Sequence, residues 1–557
     1  MKNRGLLVVA VLMVVTLVIS GCMDTSEPFK ETEVTKDNVV SLIDSLKIQL
    51  YERDLIEGEV PEREIQDNSN KQSAFMYELP DIENYEPIVS GSSANNVEIF
   101  LPLENSGGNI ESVVVKAAEL YNSSHENSSI SIRTLENTLA EDFIQSGAYM
   151  PDGYISSNVL YGFTLKENGI SASQVTDRLL GNTVGIAIKK EAYEKLKSKY
   201  TDVDYDEVFK ASFDKDIKIG YLNPINNPTG LNFVVSMLSY FDSSNPFSME
   251  ATTDFSSFQN NAKVFYSMSQ MKEAINRGLI DAYTVEYQAY VANEATADFV
   301  FIPFGVRQDY PLLAVGDLSE DKMTILKDFS QLFESPEISE YASSIGFNKN
   351  DDYQSTVNAQ YYDGIMNEIL SFWKEDRSTT KKIAVYFVCD ISGSMEGKKL
   401  EALKESALNA MQYIGENNLV GLMGFNSKVY NSVPIAEFTE TQQKYFAGAV
   451  RSWRANDGTA TNNAILMALK ELDSVKKQYG EIETLIILLS DGYTESGYSL
   501  KSVSKLMEAF DTPIYTIGYE ADIKELEAIA AINNGIFINA STDDVGYILK
   551  NLFNAEM

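Results

Sequence analysis

One histidine, two cysteines and two tryptophans are all that 557 residues contain. A lone His125 excludes histidine-rich metal centres and leaves a Ser-His-Asp triad only one base to draw on. That base sits in the polar stretch NSSHENSS and reads as a solvated loop residue. Of the two cysteines, Cys22 and Cys389, the second lies inside an apolar run and reads as a small core residue rather than a nucleophile. Positive charge is also scarce: Lys and Arg number 45 against 81 Asp and Glu, a formal charge of −36. That balance disfavours nucleic acid and anionic membrane surfaces as partners, and it suits cation binding, a basic partner or solubility outside the cell. Beyond residue 22 no segment approaches the roughly 20 apolar residues that a membrane-spanning helix needs. There is no phosphate loop, no nucleophile beside a base and no carboxylate pair with a catalytic rationale, so a binding protein rather than an enzyme is expected.

The chain is too long for one core, and its 44% hydrophobic and 11% aromatic content can fill two or three. Its first 22 residues carry basic Lys2 and Arg4, an apolar core from Leu6 to Ile19, and then Ser20, Gly21 and Cys22. This is the layout of a secretory signal. The stretch LVISGC, Leu17 to Cys22, resembles a bacterial lipobox. The resemblance implies that Cys22 is lipidated, begins the mature chain and tethers it to the cell membrane on the extracytoplasmic side; a plain signal peptide with a chance cysteine is the alternative. A lipid on Cys22 would leave Cys389 without a disulfide partner. Residues 23–95 are acidic and polar around one helical stretch, Val39 to Glu52, and read as a flexible spacer. Docking of that helix onto the first domain is the alternative.

The most informative stretch is IAVYFVCDISGSMEG, Ile383 to Gly397. Eight nearly all-apolar residues suit a strand buried on both faces of a parallel sheet, and they empty into Asp390, Ser392 and Ser394 at alternate positions. Ligands of open α/β sheets sit beyond the carboxyl ends of strands. Hard oxygen donors there suit Mg²⁺, with Mn²⁺ or Ca²⁺ as substitutes, and do not suit zinc. Further on, NDGTATNNAI brings Thr459 to the start of a helical pattern, and LIILLSDG ends a second buried strand at Asp491. Taken together, these segments closely resemble the metal-ion-dependent adhesion site of the von Willebrand factor type A domain, from Lys382 to about Phe553. The resemblance implies a doubly wound, mostly parallel, Rossmann-like sheet over residues 381–557. It also implies a metal held by Asp390, Ser392, Ser394, Thr459 and Asp491, with Thr461 as the weaker alternative for the threonine. A carboxylate from a protein partner completes the metal shell in that family.

Between these regions the texture is globular from Asn96 onward. VEIFLPL, ESVVVKAAELYNSS and SISIRTL read as a βαβ opening, and strand-helix alternation continues through NTVGIAI, KIGYLNP and later segments. PDGYISSNVLY, NNPTGLN, VEYQAY and FIPFGVRQDYPLLAV resemble, in order, four segments of the two-lobed extracellular solute-binding proteins of type 2 periplasmic fold. A two-lobed α/β domain over residues 96–375 is therefore implied, with ligand groups on loops facing the cleft. Ser106, Ser156, Ser157, Asn227 and Thr229 are the candidate donors, and Glu286 and Asp309 are placed near the hinge. Ser, Thr and Asn at helix starts are also what capping requires, so caps and turns are the competing reading. Arg133 and Arg307 offer no evident anion clamp. A helix from Tyr361 to Lys374 and a short charged segment then lead into the type A strand.

Two functional readings follow. The first is an adhesion or scaffold lipoprotein that engages a protein partner's Asp or Glu through the metal. The second is a solute-capture lipoprotein of a transport system, with the type A domain as its docking module.

Overall fold

The computed structural model describes residues 33–60, 79–103 and 110–540, with short gaps within the last span, and positions 545, 549, 552 and 553. By contact density the chain divides into two units. One joins residues up to 63 with 381–549, and the other spans 64–380 with 550–557.

The N-terminal residues of the first unit depart from the expected spacer. A helix occupies only Val39–Ser45, and Lys47 takes a left-handed φ of 54° that ends helical continuation. Strand β1, Leu50–Glu52, then pairs in parallel with Val429, Tyr430 and Asn431. The helical period of VVSLIDSLKIQLYE is thus overridden at its end by a sheet edge several hundred residues away. Val39, Ile43 and Leu46 are buried in the core of the first unit, at no more than 8% exposure. Burial of such side chains contributes roughly 1.5–3 kcal/mol each, set against the backbone entropy of ordering the segment. Lys470 pairs with Asp44 at 2.5 Å, Gly58 N–H donates to the Lys444 carbonyl at 2.8 Å, and Arg451 donates to the Glu59 carbonyl at 2.5 Å. Residues 33–59 therefore form a strap on this unit, and in sequence the second unit is an insertion between the strap and the rest of its own fold.

The second unit holds two five-stranded sheets. The first orders β3 (Ser128–Glu136), β2 (Asn95–Leu103), β4 (Gly153–Ile155), β11 (Leu312–Val315) and β5 (Ala172–Thr176). The second orders β10 (Phe299–Pro303), β6 (Val184–Lys189), β9 (Ala282–Glu286), β7 (Ile219–Leu222) and β8 (Lys263–Phe265). Each sheet has its own apolar core. Both sheets are mixed rather than mostly parallel. The chain crosses between lobes after β5 and returns after β10, so β11 runs antiparallel to both β4 and β5, and β6 runs antiparallel to β9 and β10. The two crossing segments are zipped together by Gln308 N–H to Asn182 O at 3.0 Å and Leu179 N–H to Asp309 O at 3.2 Å.

The helix expected from Tyr361 to Lys374 runs Ile365–Thr380, so most of the charged segment read as a linker is helical. It braces both lobes. Asn367 donates to Glu167 at 2.9 Å on the first lobe, whereas Trp373 donates to Tyr221 at 2.8 Å and Gln259 to Asp376 at 2.7 Å on the second.

The seven-stranded sheet of the first unit runs β1, β14 (Val429–Glu437), β13 (Leu419–Phe425), β12 (Ile383–Asp390), β15 (Glu483–Ser490), β16 (Ile514–Gly518) and β17 (Phe537–Asn539). All neighbours are parallel except β13 with β14. Strand β12 is buried along its whole length, as its apolar run requires. β1 covers the first three residues of β14, the strand that would otherwise form this edge of the sheet. A last helix over Asp543 to Phe553, which the sequence pattern suggests, lies mostly outside the described residues.

Candidate functional site

Asp390 ends the central strand β12, and its neighbour β15 ends at Ser490, one residue before Asp491. The parallel register Cys389 to Leu489 brings these strand ends side by side. Ser490 Oγ donates to Asp390 Oδ2 at 2.6 Å, and the Ser392 backbone N–H donates to Asp390 Oδ1 at 2.9 Å. Past the strand the chain makes one 3-10 turn, Gly393–Met395, which sets the hydroxyls of Ser392 and Ser394 3.0 Å apart. Gly393 suits this turn: its N–H donates to the Asp457 carbonyl at 2.9 Å, and a Cβ would stand 3.2 Å from that oxygen, a tight contact that one of the two would have to relieve.

Asp491 is 6% exposed. Its Oδ2 accepts from Lys399 Nζ at 3.1 Å, while its Oδ1 is buried with no hydrogen-bond partner within the protein. Burial pushes the Asp390 carboxyl up to about 6; hydrogen bonds from Ser392 and Ser490 oppose the rise and the nearby Asp491 charge adds to it. Two buried carboxylates therefore stand at neighbouring strand ends, and Lys399 is the charge partner of Asp491.

Thr459 and Thr461 are both buried at the start of the Thr461–Tyr479 helix. The Thr459 carbonyl accepts from Glu495 N–H at 3.0 Å and Ser496 N–H at 2.9 Å, and the Thr461 hydroxyl has no partner within the protein. Asp457, with φ 67°, is spent on the loop itself. It accepts from Ser427 Oγ at 2.6 Å and from Gly458 N–H at 3.1 Å, and these bonds hold its carboxyl below the usual range. Glu396 is solvent-exposed and precedes the Lys398–Ala410 helix. Reasoning from sequence missed Ser490 and Lys399. Ser490 directly precedes Asp491, and Lys399 lies in the first turn after Gly397, so both were visible in the motif's flanks.

Among the described residues no three His, Cys, Asp or Glu stand together as metal ligands. The donors at these strand ends are two carboxylates and neutral hydroxyls, a hard-oxygen set that fits Mg²⁺, Mn²⁺ or Ca²⁺. The orphaned Asp491 Oδ1 fits the same ion, because a buried carboxylate oxygen without a donor is costly.

In the second unit Ser106 lies outside the described residues, as does Cys22 ahead of the first. The remaining candidates gather around the two crossings. Glu286, 1% exposed at the end of β9, accepts from the Thr229 hydroxyl, from Asn182 Nδ2 at 2.9 Å and from Tyr310 OH at 3.1 Å. Asn227 caps the Pro228–Phe241 helix, its Oδ1 accepting from Thr229 N–H at 2.9 Å. Gly230 permits the helix to start against β7, since a Cβ would meet the Leu222 carbonyl at 2.0 Å. Ser156 Oγ donates to the Asn158 carbonyl at 2.9 Å, a turn role. Asp309 is paired with Arg307, which also holds Asp351 at 2.9 Å, and Arg133 is paired with Glu98 at 2.8 Å. Both guanidiniums are thus committed to internal carboxylates. Ser157 Oγ, Asn158 Nδ2, Asn227 Nδ2 and both polar atoms of Gln308 are buried without protein partners. Asn158 and Gln308 carry no sequence signal of their own.

Comparison with known proteins follows the same division. Residues 384–554 match the family model of the von Willebrand factor type A domain, and residues 105–348 match that of the bacterial extracellular solute-binding proteins. Human inter-alpha-trypsin inhibitor heavy chain H1 is 26% identical over 180 residues, covering 30% of this chain and 20% of its own. The chain thus spans about a fifth of the length of the curated relatives it matches. Among solved structures, a von Willebrand factor type A protein from Catenulispora acidiphila aligns at 19% identity and TM-score 0.28, covering 32% of this chain and 43% of its own. A putative extracellular solute-binding protein from Bordetella parapertussis aligns at 13% identity and TM-score 0.39, covering 51% and 99%.

Proposed function

From a chain that carries an extracellular solute-binding domain at residues 105–348 and a C-terminal von Willebrand factor type A domain at 384–554, we propose an extracytoplasmic, lipid-anchored binding protein. Its type A domain engages a protein partner through a divalent ion. The observation that carries this reading is the buried, unpartnered Oδ1 of Asp491 beside Asp390 and the Ser392–Ser394 hydroxyl pair. Asp390, Asp491, Ser392, Ser394 and Thr459 would hold Mg²⁺, with Mn²⁺ or Ca²⁺ as substitutes. A bound Mg²⁺ supplies a positive centre that keeps exchangeable water, at which an Asp or Glu of the partner can add. Both matched families are binding families rather than enzymatic ones. No helix among the described residues is long and apolar enough to cross a membrane. Attachment is assigned to lipid on Cys22, and Cys22→Ser should move the protein from the membrane to the soluble fraction.

The test is a pull-down from cell-surface extract with Mg²⁺ or with chelator, using wild type and Asp491→Ala. Recovery of a partner only by wild type with Mg²⁺ is expected, and equal recovery in all four arms would sink the metal bridge.

A second reading, solute capture, draws on the buried donors of Ser157, Asn158, Asn227 and Gln308. Neutral donors, with the guanidiniums of Arg133 and Arg307 paired to carboxylates, suit a ligand rich in hydrogen-bond acceptors. Such a ligand at 100 times its Kd stabilises the unit by about 2.7 kcal/mol, within reach of a thermal-shift screen of sugars, oxyanions and peptides. Silence across that panel would leave the unit as a scaffold.

A further inference from the structure

The strap is joined to the loop that carries Asp491. Tyr498 closes that loop, and three bonds hold it: its N–H donates to Asn463 Oδ1 at 3.0 Å, its carbonyl accepts from Asn462 Nδ2 at 3.1 Å, and its hydroxyl donates to the Leu46 carbonyl of the strap at 3.1 Å. The first two bonds come from the helix that begins at Thr461. The third comes from a segment more than 400 residues earlier in the chain. Gly497, with φ 79°, lets the loop press onto Asn463, whose side chain a Cβ would meet at 2.6 Å. Between Asp491 and Tyr498, the N–H groups of Glu495 and Ser496 hold the Thr459 carbonyl. The chain after Asp491 thus holds the backbone of the threonine candidate through Glu495 and Ser496, and Tyr498, further along it, rests on the strap.

We infer that residues 33–52 are a positioning element of the metal site, acting through Tyr498, so that strap docking and divalent-ion affinity are linked. The inference rests on the metal reading above. The strap is itself firmly held, since Val39 and Ile43 are each 1% exposed and β1 adds a ladder to β14. Coupling of this kind is reciprocal. If a docked strap favours the ion, the ion must favour a docked strap, and force or a competitor acting on the N-terminal end lowers ion affinity.

The experiment uses the full chain, with Mg²⁺ and Mn²⁺ as probes. Ion affinity is measured by calorimetry, and strap docking by hydrogen exchange of the amides of residues 39–52, with and without ion. Saturating ion should slow exchange across the strap in wild type but not in Asp491→Ala. Tyr498→Phe keeps the ring and loses the bond to Leu46; it should weaken ion binding by roughly three- to tenfold, the scale of one hydrogen bond, and shrink the ion's effect on strap exchange. Ile43→Asp, which undocks the helix, should weaken ion binding further. Should wild type bind the ion with strap exchange unchanged, the linkage is wrong and the metal reading stands. If wild type binds neither ion, both fall together.

Discussion

Lys399 Nζ donates to Asp491 Oδ2 at 3.1 Å, and the other oxygen of the same carboxylate is the one left without a protein partner. The two facts belong together. An ammonium on Oδ2 leaves Oδ1 as the oxygen of that carboxylate still open to a cation. It also makes Lys399 a charge partner for a site in which Asp390 is buried and raised.

Lys399→Met should therefore destabilise the chelated protein by up to about 3 kcal/mol, because removing one member of a largely buried ion pair leaves the other uncompensated. Saturating Mg²⁺ should recover most of that loss. The check is the melting temperature with chelator and with Mg²⁺, where the Mg²⁺-induced rise should be larger in the variant. An equal rise in both proteins would show that Lys399 and the cation do not share the carboxylate.

Much of this site was legible because its chemistry is concentrated at strand ends. Ile383–Asp390 could be read as a doubly buried strand from composition alone, and Asp390 and Asp491 fell at adjacent strand ends once both strands were placed in one parallel sheet. The strap was not legible for the opposite reason. Its helix covers only Val39–Ser45, and its strand exists only because Leu50 finds Val429, a pairing with no local trace. Local periodicity carried the helix on to Glu52, whereas the structure turns the chain at Lys47. In the solute-binding unit the capping reading of Asn227 and the turn reading of Ser156 describe their observed bonds, while the buried donors at Asn158 and Gln308 emerge only when the two crossings meet.

Glu141 gives a prediction independent of any ligand. It is 5% exposed in the Asn137–Ser146 helix, and its Oε1 has no partner. Burial pushes its carboxyl well above the ordinary value, with the neighbouring Asp142 adding to the rise and Tyr154 opposing it. Its folded pKa lies above its unfolded one, so the folded state retains the proton longer. The stabilising contribution is complete below the unfolded value and is lost as pH rises through the folded one, at about 1.4 kcal/mol per pH unit across the interval between them. Glu141→Gln removes the ionisation at nearly constant shape. Its stability relative to wild type should therefore grow with pH, read as a widening gap in urea midpoint from mildly acidic to alkaline buffer. Parallel curves for the two proteins would refute the assignment.

The ordering of effects among the candidate ligands is the sharpest test of the site itself. Asp390 and Asp491 place two carboxylates at neighbouring buried strand ends, and with no cation the Asp491 charge raises the cost of ionising Asp390. Asp491→Ala should abolish Mg²⁺ binding while leaving the protein folded in chelator, since the variant loses a ligand and a repulsion together, and the released Lys399, 25% exposed, can turn to solvent. Ser392→Ala removes one neutral hydroxyl that water can replace, so it should weaken binding less than the charge deletion does. Loss of the outer partner of a metal ligand typically costs roughly 10–100-fold in affinity, and loss of Asp491 should exceed that range. Calorimetric titration of Mg²⁺ into wild type, Ser392→Ala and Asp491→Ala measures the order directly. If the serine variant lost as much affinity as the aspartate variant, the hydroxyls rather than the carboxylates would define the site, and a bridge to a partner's carboxylate would have lost its charge argument.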